Sequence, residues 1–490
     1  MPAAAVAAVV VILLVNGVPR GNDWSFEMVR VVEMRAAFAT GQVPPFWAPD
    51  EYRGFGSPVF LFYAPLFAWI AAVISMLGAI VLCVIVAAIV MRAAAAEVAT
   101  TAMQTIAVIA FVLHPYFLGD IWVRNANAEL LALAFLPGVV AGAIAHDARR
   151  RFRWTALSFT GVMLAHNLTA LVACAMSIAI AVYVYRAWRA LVPTIAGIVA
   201  ALAMTAFFWV PALALKHLGV REEALLSGHF DFHRNFPTLT SFFMVDPPRE
   251  YPGGGTLGVV MLAVVILAAL FFRPADVHAR RVVQACAIAA VVLLFCMLPI
   301  STFVWEHMPL MPFLQFPWRL AGPLSVVSIL GFVTAMRGRE SRWLEAFVIV
   351  LAGLAALPMF LAYRPAPNLP FTPAAIRAQS LRSTVGDDYL PRGADKRVIG
   401  EPDQPPGFIV FPTWAFPVWR AQVDGQRAEI VTMAGGVAGV RVSPGQHDVR
   451  LTLVEPPIRT ITKIISAIAM VLVAVYFVKT VTSADEPAGT

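Results

Sequence analysis

The 490-residue chain is too apolar to be a soluble protein. Hydrophobic residues make up 60% of it, charged residues only 13%, and the mean hydropathy is +0.77. Soluble globular domains carry about 25% charged residues, so this composition indicates a polytopic membrane protein. The net charge of +7 does not indicate a nucleic-acid partner, because the basic residues lie in short clusters between apolar runs.

The four cysteines all fall inside apolar segments, at Cys83, Cys174, Cys286 and Cys296. No pair has the spacing of a metal or redox motif, so we expect buried thiols and no disulfide.

Apolar runs recur along the chain, and their lengths are close to the roughly 20 residues that a membrane span needs. The first, residues 3–18, lacks a basic start and a small-residue cleavage site, so we expect an uncleaved span rather than a signal peptide. Residues 19–78 are a polar first loop, in which 61–77 has the aromatic and proline residues of an interfacial helix. Further spans, about twelve in all, are predicted near 79–92, 99–117, 128–146, 154–167, 168–185, 191–213, 256–272, 282–299, 320–336, 343–361 and 460–478.

The arginine clusters set the orientation. Those at 149–153, 186–189, 273–281 and 337–342 all fall in the cytoplasm if the N-terminus is inside, and the C-terminus is then inside as well. The loops predicted outside are 19–78, 118–127, 214–255, 300–319 and 362–459.

Residues 362–459 differ in character from the rest of the chain. Alternating, β-branched runs near 408–411, 421–423, 440–442 and 449–453 are separated by turn sequences at 423–426 and 443–446. This pattern predicts a small antiparallel β domain outside the membrane. The predicted organisation is therefore a transmembrane domain over 1–361, an extracytoplasmic domain over 362–459, and a final helix with a cytoplasmic tail over 460–490.

Polar residues that can carry chemistry concentrate on the predicted outer side. Asp23, Glu27 and Arg30 share one face of a helix that starts in the first loop. Asp23 precedes that helix, so it is either an N-cap or a functional carboxylate.

Three more polar groups occur at outer helix ends. Arg124 and Glu129 either form an ion pair between two helices or line a wet cavity, because an isolated charge there is costly. His166, followed by Asn167, is either a packing residue or part of a site. Arg319, after Trp318, is either a membrane-interface anchor or a clamp on an anionic lipid head group.

The alternation of His229, Asp231 and His233 fits an extended strand with possible metal ligands on one side, or a solvated loop.

Several short motifs, in order, resemble bacterial GT-C-type membrane proteins, in particular the group called "6-pyruvoyl-tetrahydropterin synthase-related domain" membrane proteins. The name of that group does not imply pterin chemistry. The motifs are Asp23, 41–47, 54–58, 62–66, 124–129, 164–167, 316–319 and the β segment 416–425.

The resemblance implies a mainly α, GT-C-like bundle of about twelve transmembrane helices in the bacterial cytoplasmic membrane. It also implies a glycosyltransferase that moves a sugar from a polyprenyl-phosphate donor to a glycan, lipid or protein acceptor outside the membrane. Asp23 then takes the place of the general base, and Arg124 and Arg319 are candidates for the donor phosphate.

One position departs from that group's pattern. A histidine often follows the aspartate by four residues, and Glu27 stands there in this chain. We therefore include Glu27 among the catalytic candidates, with a divalent metal as a possible cofactor or a raised pKa as the alternative. Supporting roles are expected for Arg30, Glu129, His166 and Asn167, and all these groups should share one cavity.

Two other functions stay open. A lipid or glycan transporter also needs polar groups in an outward cavity, although no internal repeat is visible in the sequence. A non-catalytic envelope scaffold with a degenerate GT-C fold is the other, and replacing Asp23 distinguishes an enzyme from a scaffold.

The orientation is testable by labelling. A membrane-impermeant maleimide added from outside should modify a cysteine placed at Gly425 and spare one placed at Ala148, since the arginine clusters put position 148 in the cytoplasm. The reverse pattern would overturn the orientation.

Overall fold

The computed structural model describes residues 2–238, 263, 266–267, 269–271, 274, 276–384, 386–400 and 402–482, and it is mainly helical. The helices are α1 Pro2–Asn16, α2 Trp24–Ala39, α3 Glu51–Gly54, α4 Val59–Phe62, α5 Leu66–Ile74, α6 Met76–Ala96, α7 Thr101–Val112, α8 Pro115–Gly119, α9 Asn127–Ile144, α10 Ala148–Ala165, α11 Asn167–Tyr185, α12 Trp188–Met204, α13 Ala206–Gly219, α14 Glu222–Leu225, α15 Val277–Cys296, α16 Thr302–His307, α17 Ala321–Ala335, α18 Arg342–Leu361, α19 Pro373–Gln379 and α20 Pro457–Thr482.

Within the described residues, eight helical stretches are long and apolar enough to cross a membrane, or nine if α12 and α13, bent by 71°, form one span. The chain is therefore a multi-pass membrane protein. The predicted count of about twelve includes α1, which has 15 residues, and α10, which is rich in arginine, and neither meets that standard. The span predicted at 256–272 lies largely outside the described residues.

The segment 61–77 differs from its prediction as a single helix. It contains the end of α4, the separate helix α5 and the start of α6. Pro65 separates the first two, because proline offers no N–H to continue the hydrogen-bond ladder. Ser75 separates α5 from α6 with a φ of 110°, and its side chain accepts a hydrogen bond from the Gly78 N–H at 3.1 Å.

The arginine clusters gather at one end of the bundle, which we call the arginine end. Arg150 pairs with Glu97 at 3.4 Å, and the His278 ring lies 2.8 Å from the carbonyl oxygen of Ile144. Helices α10 and α15 begin there with capping aspartates, Asp147 and Asp276. Helices α9 and α11 end there, at Ile144 and Tyr185.

The predicted β segment forms two small antiparallel sheets. The strands are β1 Phe408–Trp414, β2 Trp419–Val423, β3 Gln426–Ala428, β4 Ile430–Thr432, β5 Val437–Arg441 and β6 Val449–Leu453. They are ordered β1-β5-β4 and β3-β2-β6. The predicted turn at 423–426 is the β2–β3 hairpin, in which Asp424 and Gly425 both have positive φ, as a tight type I′ turn requires.

The β domain, residues 362–459, shares a hydrophobic core with the first loop. Trp414 is fully buried against Phe55, with ring centroids 4.9 Å apart, and its indole N–H donates to the carbonyl oxygen of Gly56 at 2.9 Å. The division of the chain at 361/362 and 459/460 stays a prediction, but these points lie beside the end of α18 and the start of α20.

Buried carboxyl groups fasten α2 to the rest of the first loop. The Glu33 side chain is fully buried and accepts a hydrogen bond from the Asp50 N–H at 2.9 Å. Burial, reinforced by the neighbouring Glu51 carboxyl, raises the pKa of Glu33 to about 9.

A raised carboxyl pKa makes stability fall as pH rises. Between about pH 4.5 and 9 the folded protein retains the Glu33 proton that the unfolded chain has released, so the free energy of unfolding falls by at most about 1.4 kcal/mol per pH unit. Glu33→Gln keeps an oxygen for the Asp50 N–H but does not titrate. We expect its melting temperature in detergent to fall less with pH than that of the wild type. Glu429→Gln, at an exposed glutamate, should follow the wild-type profile, and a Glu33→Gln profile parallel to the wild type would contradict this account.

Candidate functional site

A polar cavity of about 450 Å³ lies at the end of the bundle opposite the arginine end, between the helix ends, the first loop and the β domain. Its size is within the usual range for a small-molecule site. Its walls are formed by Asn22, Asp23, Phe26, Glu27, Arg30, Tyr63, Ala64, Arg124, His166, Asn167, Leu168, Leu225, His229, Phe230, Phe313, Gln315, Phe316, Arg319, Ser383, Thr384, Asp388 and Tyr389.

The structure brings the sequence-predicted site residues together. Seven of them line the cavity: Asp23, Glu27, Arg30, Arg124, His166, Asn167 and Arg319. The eighth, Glu129, lies directly behind the wall, bonded to two of the arginines. The catalytic and binding roles assigned to these residues stay predictions, because their convergence establishes position and not activity.

The backbone holds Asp23 in the cavity wall. The Asn22 N–H donates to the Val123 carbonyl oxygen at 3.0 Å, and the Asp23 N–H donates to that of Arg124 at 2.8 Å. Gly21 allows this approach, because a Cβ placed on it would lie 2.5 Å from the backbone nitrogen of Asn125. Main-chain hydrogen bonds alone therefore hold the first loop against the 120–125 turn.

Asp23 occupies the N-cap position of α2, yet within the described residues its side chain makes no capping hydrogen bond to that helix. One turn later, the Glu27 carboxylate forms an ion pair with Arg30 at 2.8 Å. Arg30 also lies over the Tyr63 ring, 3.7 Å from its centroid. Burial raises the pKa of Glu27, and Arg30 offsets only part of that effect.

Arg124 is the centre of a buried ion-pair network. It bonds Asp120 on its own turn and the Glu129 carboxylate at 2.9 Å, and Tyr116 donates to the other Glu129 oxygen at 2.5 Å. The turn Asp120–Arg124 is a π-helical widening, a distortion that is frequent at functional sites. The predicted Arg124–Glu129 ion pair is therefore present, and Arg124 also lines the cavity.

Arg319 joins the same network from a distant part of the chain. Its Nε lies 3.4 Å from Glu129, and its Nη1 donates to the Leu314 carbonyl oxygen at 2.9 Å and to the Gln315 side chain at 3.0 Å. Its side chain is 17% exposed, against 5% for Arg124, so Arg319 is the more accessible of the two to a ligand.

His166 and Asn167 sit at the sharp junction between α10 and α11. The His166 ring lies 2.8 Å from the Thr169 hydroxyl and caps α11, while the Asn167 amide donates to the Phe62 carbonyl oxygen at 3.2 Å. Both thus have structural bonds as well as a place in the cavity wall.

One part of the wall was missed by the sequence reasoning, namely the segment 383–389 of the β domain. It contributes Ser383, Thr384, Asp388 and Tyr389. Arg30 donates to the Ser383 carbonyl oxygen at 2.5 Å, and the Ser383 N–H donates to Glu51 at 2.9 Å. The available signal was a run of two aspartates and a tyrosine in a domain otherwise dominated by β patterning.

The proposed strand of alternating metal ligands at 229–233 is wrong. Residues Gly228–Phe230 and Phe232–Arg234 are short 3-10 helices, because Asp231 caps the second one through its side chain. His229 lines the cavity, whereas His233 turns to Asp231 at 2.7 Å and to Glu306 at 3.4 Å. The described part of the chain contains no group of three or more His, Cys, Asp or Glu residues arranged to hold a metal ion.

No protein-family model and no curated protein matches this sequence. Among solved structures the chain is similar to the arabinofuranosyltransferase AftD from Mycobacteria, with a TM-score of 0.47 and 18% identity. The similarity covers 75% of this chain but only 27% of AftD. This chain thus spans about a quarter of the length of that protein, and a likeness of this degree carries no statement about substrate.

The approach of Gly21 to the 124–125 backbone is testable by adding one methyl group. Gly21→Ala should lower the free energy of unfolding by about 1–3 kcal/mol, the usual cost of overpacking, because backbone atoms cannot move aside as a side chain can. Thermal unfolding of the purified protein measures this effect.

Gly353→Ala is the matched control, since a Cβ there meets nothing within 4 Å. It should unfold at the wild-type temperature or slightly above it. Equal stability of the two variants would refute the close approach.

Proposed function

We propose that the protein is a membrane glycosyltransferase with a GT-C-like architecture, which transfers a sugar from a polyprenyl-phosphate donor to an acceptor outside the cytoplasmic membrane. Membership in the 6-pyruvoyl-tetrahydropterin synthase-related domain group is part of this proposal. The site is assigned to the outside, with both termini in the cytoplasm, because the cavity lies at the end opposite the arginine clusters.

The observation that carries the proposal is the pairing of a carboxylate with arginines in one cavity. Asp23 lies near the start of the transmembrane domain in the sequence and Arg319 near its end. Both nevertheless line the cavity, and Arg124 lies in the same wall. Transfer from a phosphate leaving group needs this combination, namely a proton acceptor near the attacking hydroxyl and cations near the departing phosphate.

In the proposed step, an acceptor hydroxyl oxygen attacks the anomeric carbon of the donor sugar. The bond from that carbon to the phosphate oxygen breaks, and its electron pair leaves with the polyprenyl phosphate. Asp23 accepts the hydroxyl proton. Glu27, the second carboxylate of the predicted pair, is held by Arg30, so its role is to shape the negative side of the site rather than to compete for that proton.

Arg319 and Arg124 are proposed to hold the donor phosphate. Their charges are balanced within the protein by Glu129, and that of Arg124 also by Asp120. Arg319 is the more exposed partner with the longer ion pair, so it can turn a guanidinium edge to a phosphate with the smaller loss of existing bonds. Glu129, His166 and Asn167 keep the arginines and helix ends in place.

Asp23→Asn tests the general base. The change keeps the shape of the side chain but removes the proton acceptor, so transfer from an undecaprenyl-phosphate monosaccharide should fall by about 10²–10⁴-fold. Binding of undecaprenyl phosphate should stay nearly unchanged. Asp403→Asn, at an exposed aspartate, is the control and should behave as the wild type.

Arg319→Ala should affect donor binding and weaken the affinity for undecaprenyl phosphate, because the proposed contact between Arg319 and the phosphate already exists in the ground state. The exposed Arg427→Ala should not. Full transfer activity in Asp23→Asn would remove the catalytic assignment of Asp23. Absence of transfer in the wild type itself would favour a scaffold or a transporter instead.

A further inference from the structure

Two residues that line the cavity each have a carboxylate oxygen that makes no hydrogen bond among the described residues. The atoms are Oε2 of Glu27 and Oδ1 of Asp388, whose residues are 2% and 6% exposed. A buried polar atom without a partner is unfavourable, so two such oxygens on the wall of one cavity point to a ligand that supplies hydrogen-bond donors.

Hydrogen bonds hold the backbone around Asp388 in place. The Arg221 N–H donates to its backbone carbonyl oxygen at 2.9 Å, and Ser383, at the start of the same segment, is clamped between Arg30 and Glu51. Burial raises the pKa of the Asp388 carboxyl. The β domain thus presents this carboxyl to a cavity whose other walls are formed by the helix ends and the first loop.

The cations of the cavity wall are already engaged. Arg30 bonds Glu27 and Ser383, while Arg124 and Arg319 bond Glu129. None of these bonds reaches Oε2 of Glu27 or Oδ1 of Asp388, so both oxygens are available to donors of a ligand.

The surroundings specify the ligand further. The rings of Phe26, Tyr63 and Tyr389 line the same cavity, and the two tyrosine rings meet edge to face with centroids 6.4 Å apart. A ligand that fits has hydroxyl groups on its edges and apolar faces between them, which describes a sugar ring. Hydroxyl groups both donate and accept, so they satisfy an ionised or a protonated carboxyl, and an acyl chain does neither.

We infer that the Glu27–Asp388 side of the cavity is an acceptor subsite that binds carbohydrate hydroxyl groups, with Asp388 as its specificity-determining residue. The inference rests on the proposed function, in which Arg124 and Arg319 take the donor phosphate. It selects a glycan over a lipid or a protein as the acceptor.

The chain supplies a matched control in the neighbouring residue. Asp387 does not line the cavity, and its carboxylate is bonded by Arg382 at 2.5 Å and by Lys396 at 2.7 Å. Asp387→Asn and Asp388→Asn make the same change one residue apart, and only the second alters the proposed subsite.

The experiment measures binding to the full-length protein in nanodiscs by saturation-transfer NMR. The probes are the methyl glycosides of mannose, galactose, glucose and arabinofuranose, with a Gly-Ser-Gly peptide and monoolein as the protein-like and lipid-like alternatives. At least one glycoside should bind the wild type and Asp387→Asn. Asp388→Asn keeps one acceptor oxygen but loses the charge, so it should bind the glycoside at least about tenfold more weakly, because hydrogen bonds to charged groups are the stronger ones.

Thermal unfolding checks that the variants fold, and Asp388→Ala serves if Asp388→Asn does not. The inference is overturned if no glycoside binds the wild type, if Asp388 variants bind it equally well, or if only the peptide or monoolein binds in an Asp388-dependent way. Undecaprenyl phosphate binding is measured on the same samples and should not change in Asp388→Asn. Its absence in the wild type, with glycoside binding retained, would remove the donor assignment and leave the carbohydrate subsite standing.

Discussion

The buried ion pair between Arg124 and Glu129 is the interaction on which the site depends. Removing one partner of such a pair leaves an uncompensated charge and costs about 3–5 kcal/mol, so both ends are held in place. Glu129 in turn binds Arg319, and the main chain at Arg124 accepts the Asp23 N–H. One ion pair therefore positions both the cationic side of the cavity and its candidate base.

The second constraint is that the cavity is composite. The transmembrane helices supply the arginines, the first loop supplies Asp23 and Glu27, and the β domain supplies Asp388 and Tyr389. Arg30 connects these parts through its bonds to Glu27 and Ser383.

Much of this architecture could be predicted from local sequence. The apolar runs predicted most of the long helices, the arginine clusters predicted the end of the bundle where they gather, and the Asp424-Gly425 pair marked the β2–β3 hairpin. These features depend on hydropathy and backbone preference over a few residues, so they can be predicted without knowledge of the rest of the fold. The errors arose where a helix break or a helix cap overrode the hydropathy pattern. Pro65 and Ser75 break the predicted interfacial helix, and Asp231 caps a short helix where a strand was considered.

The multi-pass membrane character of the chain follows from its amino-acid sequence, and so does the cost of leaving polar groups such as Asp23, Arg124 and Arg319 in lipid. The folded structure was needed to show that these groups meet in one cavity, that Glu27 pairs with Arg30, and that Asp388 joins them from the β domain. The physical reason is that burial cost is a property of each residue, whereas the partner that offsets it is chosen by how distant segments pack. Asp387 and Asp388 show the difference, since identical adjacent side chains have opposite surroundings: one is bonded to Arg382 and Lys396, and the other faces the cavity.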